Sequence, residues 1–419
     1  MIPLALLIDR LSVQFESFTA LRFSRHKGAG LSNNVVRIGV SAVAVSMVVM
    51  IVSIATGLGL KQEISDKITR FTGDLQVVPY MSPSNNNSFL ASADSIAEVL
   101  SAHGSVERVQ SVSEKGGLLK TEKDFEGVTI KGVGADFHWR DLEDHLIEGR
   151  IPSYGPSDYN DSVLISKELR DRMSLQAGQR VVVFFLRQAP KPPLMRKFIV
   201  GGVFSTGMLE FDGTYVFAHD KHLRKLNKWT AGSAGRLEIA LNDNADARKA
   251  YDELRALLPM EAELLTARDA FLDIFQWIEL FDVNIYLILI IMVMVGLVNS
   301  VIALLTIILE KKRSIGLLKS LGASERQLRK LFRLRSLHIV GKGMLWGNAI
   351  GLGFCLLQSW TGFMELDPEV YYVEQVPIHL NALHILLLNL GVLLISYLTM
   401  SLPVRVIARM HAVDSLRSF

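Results

Sequence analysis

Four long apolar windows constrain this chain more than any other feature of its sequence, because none of them contains Asp, Glu, Lys or Arg. They cover residues 38–60, 283–309, 343–364 and 382–404. About 20 helical residues cross roughly 30 Å of hydrocarbon, so each window is long enough to span a membrane. A buried core helix could account for one window, but four windows flanked by charge favour a membrane protein. We therefore predict transmembrane helices at 38–60, 283–309, 338–364 and 382–404.

The distribution of Lys and Arg predicts the side of the membrane on which each connection lies, because both residues favour cytoplasmic loops near span ends. The connection at 310–335 is strongly basic, and the N-terminal segment 1–37 and the tail 405–419 are also basic. The connection at 365–381 carries acidic residues but no Lys or Arg. Both termini and 310–335 are therefore predicted to be cytoplasmic, whereas 365–381 is predicted to be a short periplasmic loop.

Residues 61–275, between the first two predicted spans, have the pattern of a folded domain. Their apolar residues occur in short runs separated by Gly, Pro and Asn, which is typical of mixed strands and helices. Strands are predicted at 74–79, 128–133, 180–186, 197–204, 214–218 and 236–241, and helices at 93–101, 166–173 and 245–257. The predicted fold class is an α-helical membrane protein with four transmembrane helices and a large α+β periplasmic domain inserted between helices 1 and 2.

Three segments have a simpler interpretation. The segment 1–37 is predicted to be interfacial and amphipathic, because its residues 15–30 repeat apolar residues at helical spacing, with a disordered basic tail as the alternative. Residues 273–281 mix acids with aromatics, as expected of a helix that crosses the membrane interface and links the domain to the second span. Residues 81–89 are polar and turn-forming and predict an exposed loop.

The basic connection also contains apolar residues that a solvated surface does not explain, including Ile315 and Leu318. Gly322 is predicted to end one helix, and Ser324 with Gln327 forms an S-x-x-Q capping box that starts the next. The connection is therefore predicted to be a bent helical hairpin. An apolar, basic and rigid projection suits docking into a groove on a cytoplasmic partner, and an amphipathic loop held at lipid headgroups is the alternative.

The spans lack the marks of an ion or proton pathway, because their cores carry no Asp, Glu, Lys or Arg. Gly343, Gly347 and Gly351 recur at every fourth position and predict a smooth ridge for close helix packing. The asparagines in the spans are predicted to form interhelical hydrogen bonds. They are Asn284, Asn299, Asn348 and Asn389.

No motif indicates catalysis or a cofactor. The sequence contains no G-x-x-x-x-G-K-[ST], H-E-x-x-H or G-x-S-x-G. Its single cysteine, Cys355, falls in the third apolar window, so an internal disulfide and a thiolate metal cluster are excluded. His138 and His145 lack a ligand pattern, so no metal is predicted. We predict a non-catalytic chain without a cofactor of its own, and any ATP hydrolysis is expected on another chain.

Six segments carry a resemblance to a known family. They are ALRFSR at 20–25, TGLGLKQEI at 56–64, IEGRIP at 147–152, VLISKELRDRMSLQAGQRVVV at 163–183, VGGVFSTGMLEFDGTYVF at 200–217 and EKKRSIGLLKSLGAS at 310–324. Over almost its whole length the chain resembles the FtsX-like/MacB-type ABC transporter permeases, and within them the LolC/LolE lipoprotein-releasing subunits. The last segment is typical of the superfamily, whereas the G-x-F-x-T-G-M-x-E-x-D pattern at 202–212 is closer to the lipoprotein-releasing branch.

This resemblance implies two permease subunits, identical or paralogous, on a cytoplasmic ABC ATPase dimer that holds ATP and Mg²⁺. It implies that the complex extracts acylated lipoproteins from the outer leaflet of the cell inner membrane and passes them to a periplasmic lipoprotein carrier. The expected partners are therefore the ATPase, the second permease subunit, the carrier, the lipoprotein substrates and membrane lipids, with no nucleic acid.

The resemblance also assigns roles to three sets of residues. The expected ATPase-coupling residues are Glu310, Lys311, Arg313, Ile315, Leu317, Leu318, Leu321, Gly322 and Ser324. A carrier-binding hook is expected in the Pro-rich segment 184–198, with an ordinary hairpin turn as the alternative. Its residues are Arg187, Gln188, Pro190, Pro192, Pro193, Met195 and Arg196. The expected lipid- or substrate-facing residues, for which ordinary helix packing is the alternative, are Met47, Met50, Ile54, Phe281, Ile285 and Met292.

Two related functions stay open. One is a MacB-like subunit that transmits motion for export, and the absence of a fused ATPase weakens it. The other is an FtsX-like regulator of a periplasmic cell-wall hydrolase, which the large outer domain weakens. A membrane sensor that docks a signalling protein fits the predicted topology alone and is a more distant alternative.

Overall fold

The computed structural model describes residues 31–80, 89–121, 124–155, 160–187, 191–242 and 244–399. The predicted tail 405–419, most of the predicted N-terminal segment and nearly all of the predicted loop at 81–89 lie outside these residues. The chain divides into two compact units. The helical unit contains the described residues up to Lys61, Glu279–Met364 and those from Val376, and the α+β unit contains Gln62–Ile278 and Glu365–Gln375.

The described residues form the following elements, numbered in chain order. They are α1 (Leu31–Thr72), β1 (Leu75–Pro79), α2 (Ala93–Ser101), β2 (Val106–Lys120), β3 (Phe125–Val133), α3 (Arg140–Glu143), β4 (Leu146–Gly149), β5 (Ser162–Ser166), α4 (Lys167–Met173), β6 (Arg180–Phe185), β7 (Leu194–Phe204), α5 (Leu209–Asp212), β8 (Tyr215–His219), α6 (Asp220–Asn227), β9 (Arg236–Leu241), α7 (Ala247–Leu257), β10 (Ala262–Thr266), α8 (Ala267–Ala270), α9 (Leu272–Glu310), α10 (Lys312–Ser320), α11 (Glu325–Thr361), α12 (Pro368–Tyr371) and α13 (Ala382–Thr399).

Four of these helices, α1, α9, α11 and α13, are long and apolar enough to cross a membrane. Three of them extend beyond the predicted spans. α1 continues past residue 60 to Thr72, and α9 begins at Leu272 instead of 283. α11 unites the second predicted coupling helix with the predicted third span, and it ends at Thr361, before Gly362 at φ +61°, instead of reaching 364.

The predicted glycine ridge of α11 packs against α1. A Cβ atom added to Gly343 would lie 2.6 Å from Cβ of Val43, and one added to Gly347 would lie 2.4 Å from Cβ of Met47. Gly351 continues the same contact one turn further along α11. Side-chain atoms cannot approach so closely, so only glycine permits this helix spacing. The prediction of close packing is confirmed, with α1 as the partner.

Two of the predicted amides join α11 to α13. Nδ2 of Asn348 donates to Oδ1 of Asn389 over 2.7 Å, and Nδ2 of Asn389 donates back to Oδ1 of Asn348 over 3.0 Å. The interhelical hydrogen bonding predicted for these two residues is confirmed. For Asn284 and Asn299 it stays a prediction.

The α+β unit is built on one sheet with the strand order β10-β1-β9-β2-β3-β8-β5-β7-β4, and β6 pairs with β2 and β7. The strands β10, β1, β9 and β2, at one end of this order, are antiparallel. The helices α2 and α7 follow β1 and β9, so these elements form a βαββαβ or split βαβ arrangement, called the split βαβ half here. The core of this half includes Leu75 and Ile239 from the strands and Leu100 and Leu254 from the helices.

The remaining strands close into a barrel. β2 pairs with β3, β3 with β8, β8 with β5, β5 with β7, β7 with β6, and β6 pairs again with β2. Apolar side chains such as Val183, Phe185 and Phe198 form its core. With its 15 residues, β2 is long enough to belong to both halves. Residues Val106–Val112 pair with β9 in the split βαβ half, and Leu118–Lys120 pair with β6 in the barrel.

A buried lysine ties the C-terminal end of α1 to the sheet. Nζ of Lys131 on β3 donates to the carbonyl of Phe71 over 2.9 Å and to Oε1 of Glu238 over 2.8 Å. The Lys131 side chain is 1% exposed and that of Glu238 is fully buried. Burial alone would raise the pKa of Glu238, but the charges of Lys131 and Arg236 hold it below its usual value. Burial lowers the pKa of Lys131, whereas the charge of Glu238 acts to raise it, and the lysine binds the C-terminal end of α1 through the Phe71 carbonyl.

Candidate functional sites

The basic connection between α9 and α11 forms a rigid turn, called the elbow here (residues 310–328). The N–H of Gly322 donates to the carbonyl of Lys319 over 3.1 Å, and the next N–H donates to the carbonyl of Leu318 over 2.9 Å. With φ +94° at Gly322, these bonds form a Schellman motif. The Ser324 and Gln327 side chains each accept the other's backbone N–H in a capping box. Both helix signals predicted from the sequence are confirmed.

The apolar residues of the elbow fall into two groups. Ile315 and Leu328 are each 2% exposed and lie in the core of the helical unit, and Leu318 packs against the same core. Leu321 is 83% exposed and Leu317 is 50% exposed, one helical turn away. The first group holds the elbow on the membrane helices, whereas the second group is available to a partner.

Charged side chains do little to hold the elbow in shape. Nζ of Lys319 lies 3.8 Å from Oε1 of Glu325, and Nη1 of Arg329 lies 4.0 Å from Oε2 of Glu325. Long pairs of this kind at a protein surface contribute about 0–1 kcal/mol each, so backbone bonds and apolar packing fix the turn. The remaining predicted coupling residues, Glu310, Lys311 and Arg313, lie at its start. The coupling role of the whole set stays a prediction.

The T-G-M-x-E-x-D pattern folds into a closed loop around Asp212. The Asp212 carboxylate accepts hydrogen bonds from the N–H and hydroxyl of Thr206 at 3.0 and 2.8 Å, from the N–H of Gly207 at 3.1 Å and from the hydroxyl of Ser205 at 3.2 Å. These bonds give Thr206, Gly207 and Asp212 a structural reason to stand at this spacing. The Asp of the pattern therefore has a structural role, because its carboxylate is engaged in holding the loop closed.

One residue of the same loop faces the segment between α11 and α13. Oε1 of Glu210 accepts a hydrogen bond from the phenol of Tyr372, and the carbonyl of Tyr372 accepts another from Nζ of Lys67 over 2.9 Å. The Tyr372 ring lies edge-on to Trp277 with centroids 5.5 Å apart. Sequence analysis missed this cluster, because the four residues are far apart in the chain and only Glu210 belongs to a recognised motif.

The predicted hook is the hairpin that connects β6 and β7. Nε and Nη2 of Arg187 donate to the carbonyl of Pro192 over 2.9 and 2.6 Å, so the described base of the hairpin is closed by a hydrogen-bonded guanidinium. Leu186 is 75% exposed and Met195 is 48% exposed. Gln188 and Pro190 lie outside the described residues. Exposed apolar side chains on this hairpin are compatible with a carrier contact, which stays a prediction.

Two of the six residues predicted to face lipid or substrate are buried by neighbouring helices, and the other four are partly buried. Met47 and Met50 are 0% and 1% exposed, and together with Met292 they line a small pocket formed by α1, α9 and α13. Met47 and Met50 therefore do not face lipid in this structure. Ile54, Phe281 and Ile285 are partly buried. Contact of any of these residues with a substrate stays a prediction.

Comparison with known proteins identifies relatives for both units. A family described as MacB-like periplasmic core domain matches residues 38–257, and one described as FtsX-like permease C-terminal matches residues 286–412. The lipoprotein-releasing system transmembrane protein LolC of Neisseria meningitidis serogroup B is 22% identical over 96% of this chain and 99% of its own length. LolC of Xylella fastidiosa strain Temecula1 is also 22% identical, over 95% of this chain and 97% of its own length.

Two solved structures also match part of the chain. The periplasmic region of MacB from Actinobacillus actinomycetemcomitans is 18% identical, with a TM-score of 0.35, and the match covers 49% of this chain and 95% of that region. The extracellular domain of the noncanonic ABC-type transporter YknZ from Gram-positive bacteria is 12% identical, with a TM-score of 0.34, and the match covers 46% of this chain and 99% of that domain.

The four long apolar helices and the α+β unit define a multi-pass membrane protein with a large folded domain. Since the MacB-like match alone covers more than half of the chain, the protein belongs to the FtsX-like and MacB-type ABC transporter permease family.

Proposed function

We propose that this chain is a permease subunit of an ATP-driven transporter that extracts acylated lipoproteins from the outer leaflet of the inner membrane and passes them to a periplasmic carrier. In this proposal both termini are cytoplasmic, and the α+β domain, inserted between helices 1 and 2, is periplasmic. A separate ATPase dimer binds ATP and Mg²⁺, and a second permease subunit completes the membrane part. The chain itself performs no catalysis.

The observation that carries the coupling part of this proposal is the exposure of Leu321 at the elbow. This side chain is 83% exposed on a turn that is fixed by a Schellman motif and a capping box. A rigid turn with an exposed apolar tip and basic surroundings suits insertion into a groove on a cytoplasmic protein. Because α11 begins within the elbow and is 37 residues long, a force applied there would act on the whole helix.

Two features support a lipid-anchored cargo. The near full-length similarity to two LolC proteins supports this class of substrate over a soluble one. The spans contain apolar cores without acidic or basic residues, which suits acyl chains more than a hydrated channel. Extraction costs about 0.8 kcal/mol per buried CH₂ group, so removal of a whole acyl chain requires an external source of work. ATP hydrolysis on the partner would supply it.

The first test is to purify the tagged full-length chain from its native cell in mild detergent and identify its stoichiometric partners by mass spectrometry. We expect a small ATPase subunit and acylated lipoproteins. Recovery of the ATPase with a cell-wall hydrolase would support the FtsX-like function instead, and recovery with an outer-membrane export duct would support the MacB-like function. Either result would overturn the lipoprotein-release proposal.

A second test concerns the carrier. A photo-crosslinking residue in place of Met195, which is 48% exposed on the hairpin, should capture a small periplasmic protein in living cells. Met260 is a matched control, because it is 98% exposed in the split βαβ half of the same domain. Equal capture from the two positions, or none from Met195, would contradict a carrier-binding hook.

A further inference from the structure

The segment Glu365–Gln375 forms a small closed body within the α+β unit. Its ends are joined by a bridge between Glu365 and Gln375 and by a 2.9 Å hydrogen bond from the N–H of Leu366 to the carbonyl of Glu374. α12 provides one helical turn between them. Because the ends are bonded to each other, the segment can move as one piece. It connects α11 to α13, the third and fourth spanning helices.

Tyr372 is the residue at which this segment meets three other parts of the unit. Its phenol donates to Glu210, in the loop 205–212 that closes around Asp212. Its carbonyl accepts from Lys67, in the part of α1 beyond residue 60, over 2.9 Å, and its ring lies edge-on to Trp277 near the start of α9. The C-terminal part of α1, the start of α9 and the folded domain therefore all contact one residue of the connection between α11 and α13, the first through its backbone carbonyl and the other two through its side chain.

The backbone of Tyr372 is held locally as well as by these contacts. Its φ is +60°, in the left-handed region that side chains with a Cβ atom rarely occupy. Its N–H donates to the carbonyl of Pro368 over 3.0 Å, so this residue caps the C-terminal end of α12. A polar cavity of about 250 Å³ lies beside the segment, lined by Asp367 and Glu374 on one side and by Lys167 and Asp171 on the other. The segment thus lacks close packing on that side, where it could shift into free space.

We propose that Tyr372 is a positioning residue that couples the connection between α11 and α13 to the α+β domain during the transport cycle. The inference rests on the proposed lipoprotein release. In the conformation described here, the bonds from Tyr372 to Glu210 and Lys67 hold the segment Glu365–Gln375 against the rest of the α+β domain. Movement of the spanning helices driven by the ATPase breaks and remakes this contact, so that helix movement changes the position of the domain.

The test uses the complete complex reconstituted in proteoliposomes, with ATP hydrolysis and lipoprotein release measured separately. Tyr372→Phe keeps the ring on Trp277 but removes the bond to Glu210. We expect release to fall at least tenfold while ATP hydrolysis stays within twofold of wild type. Tyr371→Phe, the same change at the adjacent residue of α12, should leave both activities unchanged.

Two Glu210 variants separate coupling from a structural defect. Glu210→Gln keeps an oxygen acceptor and should retain at least a third of wild-type release, whereas Glu210→Ala should match Tyr372→Phe. Combining Glu210→Ala with Tyr372→Phe should give no further loss, because both changes remove one interaction. The proposal is overturned if Tyr372→Phe releases normally, if the double variant is additive, or if release, hydrolysis and thermal stability fall together.

A spin-label distance measurement tests the coupling role of Tyr372 without depending on lipoprotein release. Labels on Lys167→Cys and Asp367→Cys, in a Cys355→Ala background, report the distance across the cavity. ATP should shift this distance when Tyr372 is present, and Tyr372→Phe should give one broad distribution with and without ATP. If the wild-type complex releases no lipoprotein, the proposed function fails and this measurement still decides the coupling role. An identical ATP response in Tyr372→Phe would refute it.

Discussion

Leu321 offers a quantitative test of elbow docking, because 83% of its surface is exposed in the free chain. Complete burial of a leucine side chain contributes about 1.5–3 kcal/mol, so docking could gain roughly 1–2.5 kcal/mol from this residue. Leu321→Ala keeps one methyl group and should cost about 1–2 kcal/mol of docking, which is roughly a 5- to 30-fold loss of affinity. Leu321→Asp adds the desolvation of a carboxylate, and we expect a loss of more than about 100-fold.

The assay is a titration of the detergent-solubilised chain with the ATPase that co-purifies with it. Leu356→Ala is the matched control, because Leu356 is 59% exposed on the spanning part of α11 and undergoes the same truncation. Leu318→Ala should behave differently, lowering thermal stability, because Leu318 packs against the core of the helical unit. Binding of Leu321→Ala within twofold of wild type would refute the inference that the exposed elbow leucine docks the ATPase.

Three further predictions address stability and pH. Gly347→Ala should destabilise the purified protein by about 1–3 kcal/mol in thermal unfolding, because the new Cβ would lie 2.4 Å from a neighbouring side chain, whereas Gly353→Ala on the same helix meets no atom within 4 Å and should be neutral or better. Replacing Asn348 or Asn389 by Leu should cost about 0.6–1.7 kcal/mol each in unfolding assays, and the double variant should cost less than the sum, since the two amides satisfy each other. Burial lowers the pKa of His222 below its usual 6.5, so its neutral form favours folding. Its contribution to stability is therefore complete above about pH 6.5 and is lost as the pH falls toward the lowered pKa, with a limiting slope of about 1.4 kcal/mol per pH unit. Melting curves between pH 5 and 8 should show this loss in wild type and not in His222→Gln.

Local sequence rules predicted much of the fold. The helix at 93–101 and the strand at 236–241 have their predicted bounds, because each is a short amphipathic or β-branched run between clear turn signals. β2 was missed over its whole length, since Glu114, Lys115 and the glycine pair that follows interrupt its alternation. The charged residues lie where β2 passes from one half of the sheet to the other, and that position depends on strands far away in the chain.

In the candidate sites too, features that depend on local interactions were predictable from the sequence, and features that depend on distant residues were not. Gly322 and the capping box of the elbow were predictable, because both involve bonds within a few residues. The sequence could not predict which leucines of the elbow are exposed, because Leu318 is covered by helices from other parts of the chain. Lys131 lies in a predicted strand, but its partner Glu238 is 107 residues away, so no local pattern could indicate a buried ion pair.

The long strand β2 has a consequence for how the domain unfolds. Its residues form hydrogen-bonded ladders with β9 in one half of the sheet and with β3 and β6 in the barrel. Neither half can lose this strand without exposing unpaired backbone groups in the other, so the two halves should open as a single cooperative unit. Amide hydrogens along Val106–Lys120 should then exchange with solvent at one common, slow rate set by global unfolding of the domain. A protein that transmits force through this domain would gain from such cooperativity, since a half that opened on its own would absorb the applied work.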